Sequence, residues 1–134
     1  PHYLYEKADV EDPATHRRSV YRFVVRSQPQ PFLTVLDCAD PSMSVDRRNE
    51  TLSALQALAL RNNRLTVAMA AHFASRVKSL AGTPREQAAK VWELAVCRTP
   101  TSAELDAMDS FVGKHGLENL CRVAFNSNEF TFVD

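Results

Sequence analysis

Residues 83–104 read TPREQAAKVWELAVCRTPTSAE, and this stretch decides the fold class. Thr83-Pro84-Arg85-Glu86 and Thr101-Ser102-Ala103-Glu104 each put a hydroxyl at a helix cap and a glutamate three residues on. In that arrangement the cap side chain and the glutamate satisfy two backbone N–H groups that a helix start otherwise leaves orphaned. Pro84 stands where a proline suits the first helical position. Ala88, Val91, Trp92, Leu94 and Ala95 follow the first box at helical spacing, and Leu105, Met108, Phe111 and Val112 follow the second. Two helices are expected, their starts set by hydrogen-bond chemistry as well as by propensity.

Working outward, the pattern stays helical. Gly113 to Gly116 is expected to break the chain, and Leu117, Leu120, Cys121, Val123 and Ala124 form a last helix. Beyond it, alternation at Phe130, Phe132 and Val133 suggests an extended C-terminal tail packed back on the body. Upstream, Leu52, Leu55, Leu58 and Ala59 recur at three and four. After Asn62-Asn63 a second run from Leu65 to Leu80 leads to Gly82, read as a C′ glycine. These two segments read as an antiparallel hairpin. Residues 28–48 hold Pro29, Pro31 and Pro41 and read as a long irregular loop, with Phe32-Leu33-Thr34-Val35-Leu36 able to make a helical turn or a short strand. Asp12-Pro13, a capping side chain before a proline, opens an expected helix at about 13–27 that carries Val20, Tyr21, Phe23, Val24 and Val25. No helix-to-strand alternation points to a parallel sheet, so the expected class is all-α: one compact domain over 1–134, of about six helices.

The 134 residues are 45% hydrophobic and 24% charged, a soluble globular profile. No run approaches the roughly 18 apolar residues of a membrane-spanning helix. Formal net charge is zero, which argues against binding nucleic acid by bulk electrostatics, and there is no helix-turn-helix signature. The charge is nonetheless segregated. Residues 1–12 carry one lysine against four acids, residues 13–85 eleven cations against four acids, and residues 86–134 four cations against eight acids.

Within the basic middle, Arg18, Arg22 and Arg26 would share one face of a helix at 13–27. With Arg17, Arg47, Arg48, Asp37 and Asp40 they form the candidate ionic or ligand cluster, either paired internally or presenting an anion-binding face. Asp37, Asp40, Asp46 and Glu50 lack the spacing and central glycine of a calcium loop, and salt bridges to the arginines are the preferred reading over a metal site. Gln56, Asn62 and Asn63 are read as structural polar groups that hold the preceding loop against the helices. His72 reads as a helix-surface or packed residue, and His115 as a loop residue near a helix end. Cys38, Cys97 and Cys121 match no metal, redox or haem spacing and read as buried free thiols. If the chain is exported, Cys97 and Cys121 could pair between two helices, a pairing that spacing alone does not define. No catalytic residue, metal site or cofactor is assigned.

The runs RRSVYRFVVRSQPQPFLTVLDCADPS at 17–42, RRNETLSALQALALRNN at 47–63 and NSNEFTFVD at 126–134 resemble the C-terminal part of planctomycete-specific domain one, a family of unknown function. The resemblance implies a C-terminal fragment of a larger exported protein, commonly behind a cytochrome-c-like domain and another uncharacterised domain. The haem-attachment motif of that associated domain does not occur in these residues. Where the family often has a proline before Leu-Gln-Ala-Leu, this chain has Ser53-Ala54, and Arg61-Asn62-Asn63 stands where Leu-Asn-Asp or Leu-Asn-Asn is common. The functional expectation is therefore a non-catalytic helical module, exported to the periplasm or cell surface, that packs on neighbouring domains or an exported partner. The alternatives are a module binding an anionic, sulfated polysaccharide through its arginine face, or part of a hydrolase or redox enzyme completed by other domains.

Overall fold

A computed structural model describes residues 4–40, 43–47, 51 and 53–131. Among them are seven α-helices and no strand: α1 (Pro31–Val35), α2 (Ala54–Asn62), α3 (Arg64–Leu80), α4 (Pro84–Val96), α5 (Ser102–His115), α6 (Leu117–Phe125) and α7 (Asn128–Thr131). The all-α expectation holds. The chain divides into two compact units, residues 1–59 and 60–134, with the boundary inside α2. The pair expected as a hairpin, α2 and α3, straddles that boundary.

The second unit is built on local chemistry that the sequence announces. At α4 the Thr83 hydroxyl accepts from the Glu86 N–H while Glu86 accepts from the Thr83 N–H, and Thr101 and Glu104 repeat the exchange at α5. Asn63 starts α3 by accepting from the Leu65 N–H at 2.9 Å. The core runs through Ala70, Ala74 and Val77 of α3, Ala88 and Val91 of α4, Met108 of α5, and Leu117, Leu120, Cys121 and Ala124 of α6. Small alanines on α3, α4 and α6 let the backbones approach, and α3 lies along α6 while α4 touches α3, α5 and α6.

Several expectations are corrected. The segment 13–27 is not an α-helix: it makes 3-10 turns at Pro13–Thr15 and Ser19–Tyr21, with Arg22 extended at φ −76° and ψ 143°. Asp12 does cap, accepting from the Ala14 N–H at 2.9 Å, but only one turn follows. Val20, Val24 and Val25 are β-branched and weak helix formers. No acid occurs between residues 13 and 36 to offset Arg18, Arg22 and Arg26, whose spacing in a helix would set like charges one turn apart. The three arginines consequently do not form a helical stripe.

Residues 31–35 resolve the ambiguous apolar run as a helical turn, capped by Gln30, whose side chain accepts from the Leu33 N–H at 2.6 Å. The tail is not extended at 128–131 but turns as α7, because the Ser127 carbonyl accepts from the N–H groups of Phe130 and Thr131. It does pack back: Phe130 lies 5.2 Å from Phe125, which stacks on Phe73 at 5.5 Å. Phe132 and Val133 lie outside the described residues.

Gly113 sits within α5, and the break falls at Gly116, whose φ of 82° only glycine adopts without strain. Ala81, extended, ends α3, and Gly82 is not left-handed. The left-handed cap belongs to Cys97, at φ 58° after α4. The cysteines are free; Cys121 is buried, whereas Cys38 and Cys97 are exposed, so burial was the wrong expectation for those two. No described helix is long and apolar enough to cross a membrane.

Candidate functional site

In the first unit no described side chain is buried. Polar ties hold it instead. The Tyr5 hydroxyl accepts from the Val25 N–H at 2.8 Å and donates to the Gln28 carbonyl at 3.0 Å, pinning the N-terminal turn to the segment that precedes α1. A cavity of about 270 Å³ opens beside it, walled by Tyr5, Arg17, Tyr21, Arg22, Phe23 and Leu33. A broader depression of about 740 Å³ includes Val20, Arg22, Val24, Leu33, Cys38 and Asp40. Of the residues that line these hollows, Val20, Tyr21 and Phe23 are 77%, 70% and 66% exposed, among the most solvent-facing large apolar side chains described.

Asp37 anchors the other end of this unit. At φ 56° it occupies left-handed backbone, which aspartate tolerates better than most residues. Its carboxylate accepts from the Thr51 N–H at 2.6 Å, the Thr51 hydroxyl at 2.7 Å and the Gln56 amide at 3.0 Å. Gln56 in turn accepts from the Ser53 N–H at 3.1 Å, while the Ser53 hydroxyl accepts from the Gln56 N–H at 3.3 Å. Ser53-Ala54-Leu55-Gln56 is thus a third capping box, and its Ser-x-x-Gln signature was present in the sequence without being read as one.

The candidate cluster is distributed as follows. Arg17 and Arg22 line the smaller hollow, and Asp40 and Arg22 the larger. Arg17, Arg18, Arg26 and Arg47 are exposed and Arg22 is half-buried; none of the five forms an ion pair among the described residues. Arg48 and Glu50 lie outside the described residues. Asp37 faces Thr51 and Gln56. Asn62 is the exposed last residue of α2, and Asn63 caps α3. No group of three or more His, Cys, Asp or Glu that could hold a metal ion occurs among the described residues.

The ion-pair centre that sequence reasoning missed lies in the second unit. Arg98 grips Glu104 through both terminal nitrogens (2.7 and 3.0 Å) and Glu129 through Nε and Nη2 (2.8 and 2.9 Å). Its guanidinium carbon also stands 5.4 Å from the centroid of the Trp92 ring. The Arg98 guanidinium, with the Thr101 N–H and hydroxyl, holds the Glu104 carboxyl down at about 2, and the same guanidinium lowers Glu129. Both carboxylates raise Arg98 in return. One glutamate therefore closes the α5 capping box and, through Arg98, joins α7 to the α4–α5 connection. The work is architectural. Only the capping box marked Glu104 in the sequence; Glu129, 31 residues from Arg98, carried no local signal.

The family model PSD1, protein of unknown function (DUF1553), aligns with residues 2–112, which covers the first unit from its second residue on and reaches into α5. The closing run at 126–134 lies beyond the aligned region. No curated protein and no solved structure matches the chain.

Proposed function

Since the chain belongs to the PSD1 family of proteins of unknown function (DUF1553), we propose that it is an interaction module whose first unit is completed by a neighbouring domain of the same polypeptide or by an exported partner. What carries the reading is the absence of any buried side chain among the described residues of 4–59, together with the exposure of Val20, Tyr21 and Phe23. A segment of this size without a core of its own lacks the main favourable term in folding. Tyrosine, phenylalanine and arginine side by side are also the residues enriched where protein surfaces meet. The sequence resemblance supports placing the parent polypeptide among exported planctomycete proteins associated with cytochrome-c-like domains. This chain itself is proposed to hold no cofactor.

Hydrogen exchange tests the proposal on this chain alone and on its parent polypeptide. Amides of residues 4–40 are expected to exchange rapidly in the isolated chain and to gain protection in the parent, with Tyr21→Ala plus Phe23→Ala abolishing the gain. Equal protection in both settings would sink the reading.

A second reading has its own support: the arginines of 17–26 have no carboxylate partner among the described residues, so their paired N–H donors are available to sulfate groups of an anionic polysaccharide. Salt-sensitive retention on a sulfated matrix, lost in Arg22→Ala plus Arg26→Ala, is its expected signature. Retention indifferent to salt would remove it.

A further inference from the structure

The second unit contains a cleft of about 550 Å³ where the end of α2, the end of α5 and the outer side of α6 come together. Its walls include Arg61, Phe111, His115, Asn119, Arg122 and Val123, and no aspartate or glutamate among the described residues lines it. Arg122 is the fixed centre. One terminal nitrogen donates to the Asn119 Oδ1 at 3.1 Å and the other to the Arg61 carbonyl at 3.1 Å. Asn119 is itself tied to the His115 carbonyl at 2.8 Å, so the guanidinium plane is braced from two helix ends. Of the five N–H donors of an arginine, two are thus engaged. The Nε N–H is buried with no partner, which leaves its desolvation uncompensated.

Charge decides what this cleft suits. The carbonyl ends of α2, α5 and α6 each present roughly half a negative charge, about −1.5 together, and the two guanidinium groups of Arg61 and Arg122 exceed that. Glu118, one turn before Arg122 on α6, forms no ion pair with it among the described residues. Phe111, its ring 4.6 Å from that of His115, and Val123 supply an apolar wall beside the cations. The volume falls within the roughly 300–1,000 Å³ of small-molecule sites.

We propose that this cleft binds a small ligand bearing an oxyanion, carboxylate or phosphate, on an apolar body. The oxyanion meets the braced Arg122 guanidinium and Arg61, and the body rests on Phe111 and Val123. Arginine's planar fork matches either head group through parallel N–H···O bonds, which a lysine ammonium does not reproduce. The site lies wholly in the second unit and is independent of the interaction surface proposed for the first.

The test is a ¹⁵N NMR titration of the chain with benzoate, phenyl phosphate and inorganic phosphate, with benzyl alcohol as the neutral control. Saturable shifts confined to residue 61 and residues 111–127 are expected with the two aromatic anions, and weaker ones with inorganic phosphate. The tighter of benzoate and phenyl phosphate identifies the head group. Arg61→Gln, which keeps the carbonyl that braces Arg122, and Arg122→Lys should each weaken binding by about tenfold. The proposal is overturned if no anion saturates, if benzyl alcohol binds as well, or if the folded Arg61→Gln variant binds as tightly as the unaltered chain.

Discussion

Leu120 and Leu80 present the same side chain in two settings of one unit, and replacing each by alanine measures what the α3–α6 core contributes. Leu120 is 2% exposed and surrounded by the core, whereas Leu80, the last residue of α3, is 53% exposed. Truncating a leucine to alanine removes three carbons worth about 0.8 kcal/mol each when fully buried, so the transfer loss is about 2.4 kcal/mol at Leu120. A cavity term adds to this, because neighbours close in only partly, and the expected total is about 3 kcal/mol. At Leu80 roughly half the transfer term applies and no cavity forms, giving about 1 kcal/mol. A unit the size of residues 60–134 has a stability on the order of 4–11 kcal/mol, so Leu120→Ala removes a large share of it. The expected fall in Tm is about 12 °C or more. Trp92, the sole tryptophan, lies in α4, so its fluorescence during urea unfolding reports this unit alone. The m-value should stay constant while the midpoint falls. If Leu120→Ala costs no more than Leu80→Ala, the helix packing described here is wrong.

Three further outcomes are expected. Glu104, held at about 2 by Arg98 and the Thr101 donors, and Glu129, lowered by Arg98, have folded values below the unfolded one of 4.5, so their contribution is complete above about 4.5 and lost as pH falls from there toward about 2. Urea midpoints read from Trp92 should drop across that window and drop less steeply in Glu104→Gln; equal slopes would count against the Arg98 centre. Burial pushes the Cys121 thiol up to about 12, so iodoacetamide at mildly alkaline pH should modify Cys38 and Cys97 in the native chain and reach Cys121 only on unfolding, as intact mass will show. Asp37→Ala deprives Thr51 and Gln56 of their shared acceptor, and the Thr51 amide should exchange at least about tenfold faster. Asp37→Asn, which retains an acceptor and tolerates the left-handed backbone, should fall between, and an unchanged Thr51 amide in Asp37→Ala would show that the carboxylate does not organise this turn.

Much of the second unit was legible because its signals are short-range. Thr83 with Glu86, and Thr101 with Glu104, sit three residues apart and answer a fixed need of any helix start. Ala70, Ala74 and Val77 recur with a period that only one buried face explains. The same kind of signal at Ser53 and Gln56 went unread at the start of the next helical run, although it was equally local. The error at 13–27 has a different origin. An aspartate-proline start and an apolar run gave the pattern of a helix, but β-branched residues and four arginines without a nearby acid withheld the free energy needed to extend it beyond single turns. Reading those arginines as a stripe depended on the helix and was lost with it.

Taken alone, the sequence determined that the chain is helical, where α3, α4 and α5 begin, and that its basic residues are concentrated before residue 86. Those features follow from hydrogen bonds and charges among near neighbours, which a linear reading can count. The tertiary structure decided that Arg98 joins Glu104 to Glu129, that Asp37 serves Thr51 and Gln56, and that Arg61, His115 and Arg122 share one cleft. Each of those associations joins residues far apart in the chain, and their meeting depends on how helix faces pack and where each helix stops, which no local pattern encodes.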